Sequence, residues 1–145
     1  MQKILIKNRI IKQNEKPFLI AELGLSHEGS LGIAIKMIDE VIKAGADAVK
    51  FQMHLFDYES SNKEKFRVKF SPQDKTRQDY WKRTSFSIDE WIKIKKYCQK
   101  KNIIFLCSPF SLKAVEILHS LRVDAWKIAS GEMNNLNDRH HIKKK

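Results

Sequence analysis

The sequence predicts a parallel α/β fold equivalent to the first half of a (β/α)8 barrel. Short apolar runs of strand length alternate four times with segments of helical periodicity, which is the pattern of a parallel sheet covered by helices. The apolar runs end in Glu, Lys, Gln or Ser, as in barrels whose site lies at the carboxyl ends of the strands. A whole barrel needs eight strands and about 250 residues, so this chain of 145 residues holds about four βα units.

The first βαβ unit begins after a short lead-in. Residues 1–16 are apolar and basic, and we interpret them as a hairpin that caps the floor of the domain. Residues 18–24 form an apolar run that predicts the first buried strand. Residues 31–44 carry apolar side chains at helical spacing, with Ser30 as the candidate N-cap and Gly45 as the residue that ends the helix.

The second predicted strand contains a lysine. Residues 48–52 read Ala-Val-Lys-Phe-Gln, so Lys50 and Gln52 share one face of the strand while Val49 and Phe51 take the other. A lysine in a buried strand is costly unless it is paired or faces an open, liganded cavity. Lys50 is therefore the first residue whose position requires a functional explanation.

The connection over residues 53–86 is long and irregular, with a proline, many charges and an aromatic and basic run at residues 80–84. Connections of this length in a compact domain are commonly substrate loops or lids. The alternative is a solvated insertion with a short helix, and the sequence leaves both interpretations open.

The second half of the chain repeats the alternation of helix and strand. Ser87 and Glu90 form a capping box that opens the next helix. Residues 103–107 then predict a third buried strand, residues 111–121 a further helix, and residues 125–130 a fourth strand.

The net charge of +11 suggests acidic partners such as phosphates, nucleic acid or a membrane surface. Most of the basic residues are lysines on predicted helix surfaces, without the aromatic interleaving of a nucleic-acid platform. We therefore expect no nucleic-acid binding. We also expect no membrane insertion, since no apolar stretch approaches the roughly 20 residues that span a bilayer.

Cysteine content and the N-terminus indicate the cellular compartment. Cys98 and Cys107 are too few for a disulfide framework and fit no zinc motif, so we interpret both as packed thiols. The N-terminal residues interrupt their apolar run with charge and lack a small-residue cleavage site, which makes a poor signal peptide. These features together indicate the reducing cytoplasm.

Six polar residues fall at or near the carboxyl ends of the predicted strands. In a barrel they would converge on one mouth and present two ammonium groups, two carboxylates and two hydroxyls. Such a set suits an anionic ligand such as a phosphate or a carboxylate, with the carboxylates orienting a hydroxylated substrate or moving protons. The alternative is an ion-pair network that closes the barrel mouth. The six are Glu22, Lys50, Ser108, Lys127, Ser130 and Glu132.

The histidines form no metal-binding motif. His27 lies in the loop after the first strand, where it is either a surface residue or a ligand near the mouth. His119 lies late on a helix and is interpreted as structural. His140 and His141 adjoin a basic tail without acidic or cysteine partners, so they do not make a metal site.

Five sequence blocks, in order, resemble those of one family. Residues 21–29 (Ala-Glu-Leu-Gly-Leu-Ser-His-Glu-Gly) resemble its A-E-I-G-x-N-H-N-G opening, and residues 44–52 resemble its A-G-A-D-A-V-K-F-Q block. Residues 80–84, 108–110 and 126–132 resemble further blocks. The family is the sialic acid (N-acetylneuraminate) synthases, with legionaminate, pseudaminate and spore-coat polysaccharide synthases as close relatives.

The resemblance covers residues 17–136 and implies a TIM barrel followed by a small antifreeze-like C-terminal domain, assembled as a domain-swapped homodimer. Family members condense phosphoenolpyruvate with an N-acetylated amino sugar, usually N-acetylmannosamine, to a nonulosonic acid for surface polysaccharides. A divalent metal, commonly Mn2+, supports the reaction, and phosphate leaves by C–O cleavage.

The resemblance also implies roles for seven residues of this chain. They comprise two catalytic glutamates, two phosphoenolpyruvate-binding lysines, two substrate-binding hydroxyls and one sugar-contacting amide. In that order they are Glu22 and Glu132, Lys50 and Lys127, Ser108 and Ser130, and Gln52.

The chain departs from the family pattern in two places. Residues 26–28 read Ser-His-Glu where the family usually has Asn-His-Asn, near the sugar. Residues 137–145 lack the apolar pattern of the next helix, and we expect a non-native or disordered tail, produced by a frameshift or an early stop. Because the family's metal-binding histidines lie further along, we expect no bound metal in this chain and no activity from it alone. The alternative is a non-enzymatic half-barrel product.

Overall fold

The structure, a computed structural model, describes residues 3–59, 65–66 and 68–134. An antiparallel hairpin precedes a four-stranded parallel sheet. The hairpin strands are β1 (Lys3–Ile6) and β2 (Arg9–Lys12), and the sheet strands are β3 (Ile20–Gly24), β4 (Ala48–Met53), β5 (Ile104–Pro109) and β6 (Ala125–Trp126). The helices are α1 (Leu31–Lys43), α2 (Phe56–Glu59), α3 (Arg77–Thr84), α4 (Ile88–Lys100) and α5 (Leu112–Ser120), followed by a 3-10 helix at Ser130–Glu132.

The spatial order of the sheet is the order of the chain, β3-β4-β5-β6, and at least one helix lies in each connection. Consecutive parallel strands joined through helices curve in one sense, because such crossovers are right-handed. This arrangement is a partial (β/α) barrel, and the predicted fold class is confirmed.

The two faces of the sheet have different surroundings. The face toward α1, α4 and α5 carries the main core, to which β4 and β5 contribute Val49, Phe51, Met53, Phe105 and Cys107. The alternate residues point to the opposite face, which we call the inner face. There Ala48, Ile104 and Leu106 form a smaller apolar cluster.

The hairpin closes the amino-terminal end of the inner face, as the sequence predicts. Ile6 of β1 and Phe18 pack against the small cluster around Ala48 and Ile104. Since those two residues are the first of β4 and β5, the hairpin lies under the amino ends of the strands. The carboxyl ends are left for a site.

Local sequence sets the ends of α1 and the start of α4. The Ser30 hydroxyl accepts a hydrogen bond from Ile33 N at 3.3 Å, and Gly45 follows the helix with φ of +78°. Ser87 and Glu90 make the two reciprocal hydrogen bonds of a capping box. The helix signals predicted from the sequence are confirmed, because each depends only on neighbours in the chain.

The fourth strand is shorter than predicted. Only Ala125 and Trp126 pair with β5, whereas the prediction covered residues 125–130. The backbone N–H of Lys127 still donates to the Cys107 carbonyl at 3.4 Å, and the chain then turns into the 3-10 helix. Because no described strand pairs with the outer edge of β6, its backbone is held by ladder bonds on one side only.

The described part of the connecting segment, residues 54–86, contains the helices α2 and α3. Thr76 and Asp79 form a capping box at the start of α3, which the sequence analysis did not identify. In the described part of the chain no helix is both long and apolar enough to cross a membrane. Residues 137–145, expected to form a non-native tail, lie outside the described residues.

Candidate functional site

Strand register brings four predicted site residues together at the carboxyl edge of the inner face. Glu22 of β3 is the Cα partner of Lys50 on β4, and Gln52 of β4 is the Cα partner of Ser108 on β5. Lys50, Gln52 and Ser108 alternate with residues of the main core, so they belong to the inner face above its apolar cluster. Along the inner face, the apolar cluster near the amino ends of the strands is thus followed by charged and polar groups at their carboxyl ends.

An ion pair joins the Lys50 ammonium to Glu22 Oε2. Lys50 is only 6% exposed, whereas about half of the Glu22 side chain is exposed. Glu22 Oε1 accepts a hydrogen bond from the Gly24 N–H at 2.9 Å, which orients the carboxylate. The pair explains how a buried strand tolerates a lysine. It is also one contact of the kind expected from the alternative interpretation, in which an ion-pair network closes the barrel mouth.

The ion pair leaves donors for a ligand, because an ammonium group has three. On the neighbouring strand, Ser108 Oγ makes no hydrogen bond to any described residue, although Ser108 is only 1% exposed. A buried hydroxyl without a partner costs about 1–3 kcal/mol. An unsatisfied hydroxyl on the strand next to a buried cation suits a phosphate or carboxylate ligand.

Gly24 keeps space between the polar groups at the end of β3. Its φ is +52°, and a Cβ atom at this position would lie 3.6 Å from Glu22 Oε1 and 3.8 Å from Gln52 Oε1. The carboxylate and the amide therefore reach the same space beside the glycine. A side chain here would narrow that space. It would also be strained, because the backbone at this position is left-handed.

Three predicted site residues lie at the exposed end of the sheet. The Lys127 backbone continues the register of β6 beside Ser108, but its side chain is exposed. Ser130 is exposed and Glu132 is half-buried, both in the 3-10 helix. Their membership of the site stays a prediction, because β6 ends before it can carry them along the inner face.

His27 is not a surface residue, and its role as a ligand stays a prediction. It is fully buried, its ring stacks on Phe86 at 4.2 Å, and its Nδ1 accepts a hydrogen bond from the Gly29 N–H at 3.1 Å. Burial lowers the pKa of His27 to about 4, against smaller opposing effects of Glu28 and the Gly24 backbone. The imidazole is therefore neutral at physiological pH and holds the loop after β3.

The connecting segment is anchored to the loop after β3. Arg83 on α3 binds Glu28 in that loop (Nη1 to Oε2, 2.5 Å) and Asp74 within the segment (Nη2 to Oδ2, 2.8 Å). The Ser71 hydroxyl donates to the same Asp74 carboxylate. The hydrogen bond from Arg83 holds the pKa of Asp74 below its usual range. This anchoring joins α3 to the loop after β3, and a lid over residues 53–86 stays a prediction beside the alternative of a solvated insertion.

His54 and Glu59 form a buried pair that was not predicted from the sequence. The two side chains are 8% and 4% exposed, and Nδ1 of the histidine lies 2.6 Å from Oε2 of the glutamate. A signal was present in the sequence, since His54 continues the alternation of Lys50 and Gln52 along one face of β4. No local pattern indicates its partner.

Both cysteines are packed thiols, as the sequence predicts. Cys98 on α4 and Cys107 on β5 are fully buried. Burial raises the pKa of Cys98 to about 12 and raises that of Cys107 as well. Neither thiol is a nucleophile at neutral pH.

The divalent metal implied by the family resemblance does not fit the described part of this chain. Within residues 3–59, 65–66 and 68–134, no three His, Cys, Asp or Glu side chains are placed to hold a metal ion. No chemical step is therefore assigned to a metal here. The Mn2+ of complete family members stays a prediction.

Comparison with known proteins gives the same family by three routes. The sequence matches the NeuB family over residues 37–145. It is 38% identical to the pseudaminic acid synthase of Campylobacter jejuni over 127 residues, 86% of this chain and 37% of that protein. It is 34% identical to the N-acetylneuraminate-9-phosphate synthase of Homo sapiens over 120 residues, 81% of this chain and 33% of that protein.

A solved relative shares the fold. The N-acetylneuraminic acid synthetase of Leptospira borgpetersenii, determined in complex with citrate, gives a TM-score of 0.75 at 33% identity, covering 94% of this chain and 44% of that one. The chain thus spans less than half the length of the relatives it matches. The resemblance found in its sequence blocks is confirmed, and the chain belongs to the NeuB family.

Proposed function

We propose that this chain supplies the phosphoenolpyruvate-binding part of a nonulosonic acid synthase. Relatives named as synthases of sialic and pseudaminic acids support the reaction class. The observation that carries the proposal is the buried, unsatisfied hydroxyl of Ser108 on the strand next to the buried Lys50. That pair of donors suits the phosphate or carboxylate of phosphoenolpyruvate.

Binding of phosphoenolpyruvate is divided between two neighbouring strands. Lys50 supplies a fixed positive charge and free N–H donors, and the Ser108 hydroxyl supplies a donor without a competing protein partner. Lys127 and Ser130 complete the anion site from the side of β6. The exposure of these last two residues leaves them free to adjust to the ligand.

The amino sugar occupies the space beside Gly24. Gln52 and Glu22 both reach that space, where the amide can donate and accept hydrogen bonds with the sugar hydroxyl and N-acetyl groups and the carboxylate can accept them. Glu132, in the 3-10 helix after β6, orients the sugar or moves a proton. These roles follow from the family resemblance, and for Glu22 and Gln52 also from their positions at strand ends.

The reaction balances with these two substrates and water. The methylene carbon C3 of phosphoenolpyruvate forms a C–C bond with the aldehyde carbon of the open-chain amino sugar, whose oxygen takes up a proton. Water adds to C2, and the C–O bond to the phosphate breaks. The products are the nonulosonic acid and inorganic phosphate. The chain's own residues bind, orient and hold protons, and we place this chemistry in the cytoplasm.

The amino sugar is N-acetylmannosamine or a relative from the legionaminate, pseudaminate or spore-coat series. The two relatives described above act in different series and are similarly distant, at 38% and 34% identity. Residues 26–28, which depart from the family pattern, lie in the loop after β3, which by the family resemblance is near the sugar. A panel of N-acetylated amino sugars offered with phosphoenolpyruvate distinguishes these substrates.

A second candidate is a half-barrel product without activity. Ile20 on β3 and Ile33 on α1 are each about half exposed, at 48% and 47%, and no described strand pairs with the outer edge of β3. Such edges promote self-association. Monomeric behaviour with a sharp thermal transition would count against this candidate. The homodimer that the resemblance implies for complete members remains part of the proposal.

The test is phosphate release from phosphoenolpyruvate and N-acetylmannosamine with Mn2+. We expect none from the 145-residue chain alone, and release when the chain is mixed with a polypeptide carrying the remaining βα units of a NeuB relative. Size-exclusion chromatography checks that the two form a complex. A complex without phosphate release for any sugar of the panel contradicts the proposed function, and turnover by the chain alone contradicts the division of the site.

A further inference from the structure

A buried histidine–glutamate pair lies at the carboxyl end of β4, and the proposed chemistry does not use it. His54 Nδ1 donates to Glu59 Oε2 at 2.6 Å, and the other carboxylate oxygen accepts from the Leu55 N–H at 2.5 Å. The side chains of His54 and Glu59 are 8% and 4% exposed. Both oxygens of a buried carboxylate are thus used within five residues of chain.

The same imidazole joins three stretches of the chain. Its ring stacks on Trp81 of α3, with centroids 4.8 Å apart, and on Phe110, which directly follows β5, with centroids 4.0 Å apart. The interplanar angles are 8° and 23°, so all three rings are nearly parallel. The Ser85 hydroxyl donates to the His54 carbonyl at 2.9 Å. His54 therefore connects the end of β4 to the end of β5 and to α3.

Strand register relates this cluster to the candidate site. Met53 and Pro109 are the last Cα partners of β4 and β5, and Gln52 and Ser108 are the partners one step earlier. His54 and Phe110 continue the same register by one residue, where their rings stack. The ladder between β4 and β5 ends at Pro109, which has no N–H to donate. Beyond that point, the stacked rings of His54 and Phe110 hold the two strands together.

A purely apolar cluster would be the simpler way to hold these strands. Burying a carboxylate is costly unless its hydrogen bonds fix it well, and an apolar residue of similar size is often as stable or more so. Unlike an apolar cluster, the pair fixes the orientation of the His54 ring, because the ring must point its Nδ1 at the Glu59 carboxylate. A ring of fixed orientation fixes the stack with Phe110.

We infer that His54 and Glu59 are positioning residues, which hold the ends of β4 and β5 in line so that Ser108 faces the same ligand as Lys50 and Gln52 faces the neighbouring sugar space. The positioning follows from the hydrogen bonds, the ring stack and the register. The identity of the ligand rests on the proposed function.

The inference is tested with substitutions at Glu59 in the 145-residue chain. Glu59→Ala removes the acceptor for His54 and Leu55, whereas Glu59→Gln keeps a carbonyl oxygen for one of these hydrogen bonds. Glu40→Ala is the matched control, because Glu40 is an exposed glutamate on α1 that also pairs with a basic side chain, that of Lys43. The readouts are the Kd for phosphoenolpyruvate by calorimetry, amide hydrogen exchange at the strand ends, and Tm.

We expect Glu59→Ala to weaken binding about tenfold, the equivalent of one hydrogen bond to a charged ligand, and Glu59→Gln to recover most of that loss. Amide exchange should accelerate at residues 52–55, 108 and 110 in Glu59→Ala and stay unchanged at residues 48–50. Glu40→Ala should leave all three readouts unchanged.

Two results would overturn the inference. One is a lower Tm for Glu59→Ala with an unchanged Kd, which would show that the pair only stabilises the fold. The other is unchanged exchange at the strand ends, which decides the question even without a ligand. Absence of phosphoenolpyruvate binding by the unaltered chain would instead count against the proposed function, and the exchange measurement would still judge the positioning.

Discussion

Lys50 has two possible roles, as one partner of a structural ion pair or as part of a ligand site. Its ammonium is buried against a carboxylate that is itself half exposed, so the pair is only partly removed from water. If closing the sheet were its role, an apolar residue would serve as well or better. The Ser108 hydroxyl, which lacks a partner on the neighbouring strand, is not explained by an ion pair. The two observations together favour a ligand.

Substitution of each partner of the ion pair distinguishes the two roles. We expect Glu22→Gln to lower the free energy of unfolding by about 1–2 kcal/mol, because it leaves a buried ammonium without its counter-charge. Lys50→Met should be neutral or stabilising, since it replaces the ammonium with an apolar group and leaves a solvated carboxylate. Chemical denaturation measures both. If Lys50→Met destabilised the chain as much as Glu22→Gln, the lysine would be structural.

His27 gives a pH dependence whose sign follows from its burial. Its pKa is lowered to about 4 in the folded chain, against about 6.5 when unfolded, so between these values only the unfolded chain binds the proton. The free energy of unfolding should therefore be constant above pH 6.5 and fall by up to about 3 kcal/mol as the pH drops to 4.

Urea denaturation at pH 7.5, 5.5 and 4.5 measures this fall. His27→Gln keeps an acceptor for the Gly29 N–H but does not titrate, so it should lose most of the slope between pH 6.5 and 4.5. An unchanged slope in this variant would show that other groups cause the loss of stability.

Site residues could be predicted from the sequence where the pattern that marks them lies within one strand or helix. Lys50 and Ser108 stand out because each interrupts or ends an apolar strand. The surface alternative for His27 was wrong, because its burial depends on Phe86, which reaches it from a distant part of the chain. His54 was missed for the same reason, since its partners Trp81 and Phe110 lie on two other elements.

At the level of elements, α3 and the loop after β3 meet at a glycine. Gly29 has φ of +78°, and a Cβ atom there would lie 2.3 Å from the Arg83 carbonyl oxygen. The Glu28–Arg83 ion pair forms directly beside this contact. Glu28 thus has a structural partner, although it departs from the usual family pattern.

Gly29→Ala tests this contact. We expect a loss of about 2 kcal/mol or more in the free energy of unfolding, because the methyl group meets backbone and the left-handed conformation is strained. Gly32→Ala is the matched control, since Gly32 lies within α1 and the nearest atom to its Cβ position is 3.9 Å away. The control should be neutral or stabilising by up to about 1 kcal/mol. Equal effects of the two substitutions on Tm would show that the contact is absent.

The elements themselves were predictable to different degrees. The start of α1 and the capping box of α4 were correct, because Ser30, Ser87 and Glu90 act on their own helices. β6 was predicted too long, because an apolar run favours a strand whether or not a partner strand is present. The attachment of α3 to the loop after β3 was not predicted, because it depends on the long-range contact of Arg83 with Glu28.

On the scale of the whole molecule, the sheet separates a packed side from a functional side. Helices cover the outer face, the hairpin covers the amino ends of the inner face, and polar groups collect at the carboxyl ends. This is the arrangement of a barrel whose site lies at the carboxyl ends of its strands. The family was readable from sequence because its motifs coincide with these strand ends. The central claim is that β4 and β5 alone already form an anion site.

Titration of phosphoenolpyruvate into the 145-residue chain by calorimetry tests this claim most directly. We predict saturable binding that weakens at least about tenfold in Lys50→Met and is unchanged in Lys36→Met, a control on the exposed surface of α1. Equal affinities for the chain and for Lys50→Met, or no binding at millimolar ligand, would contradict the account.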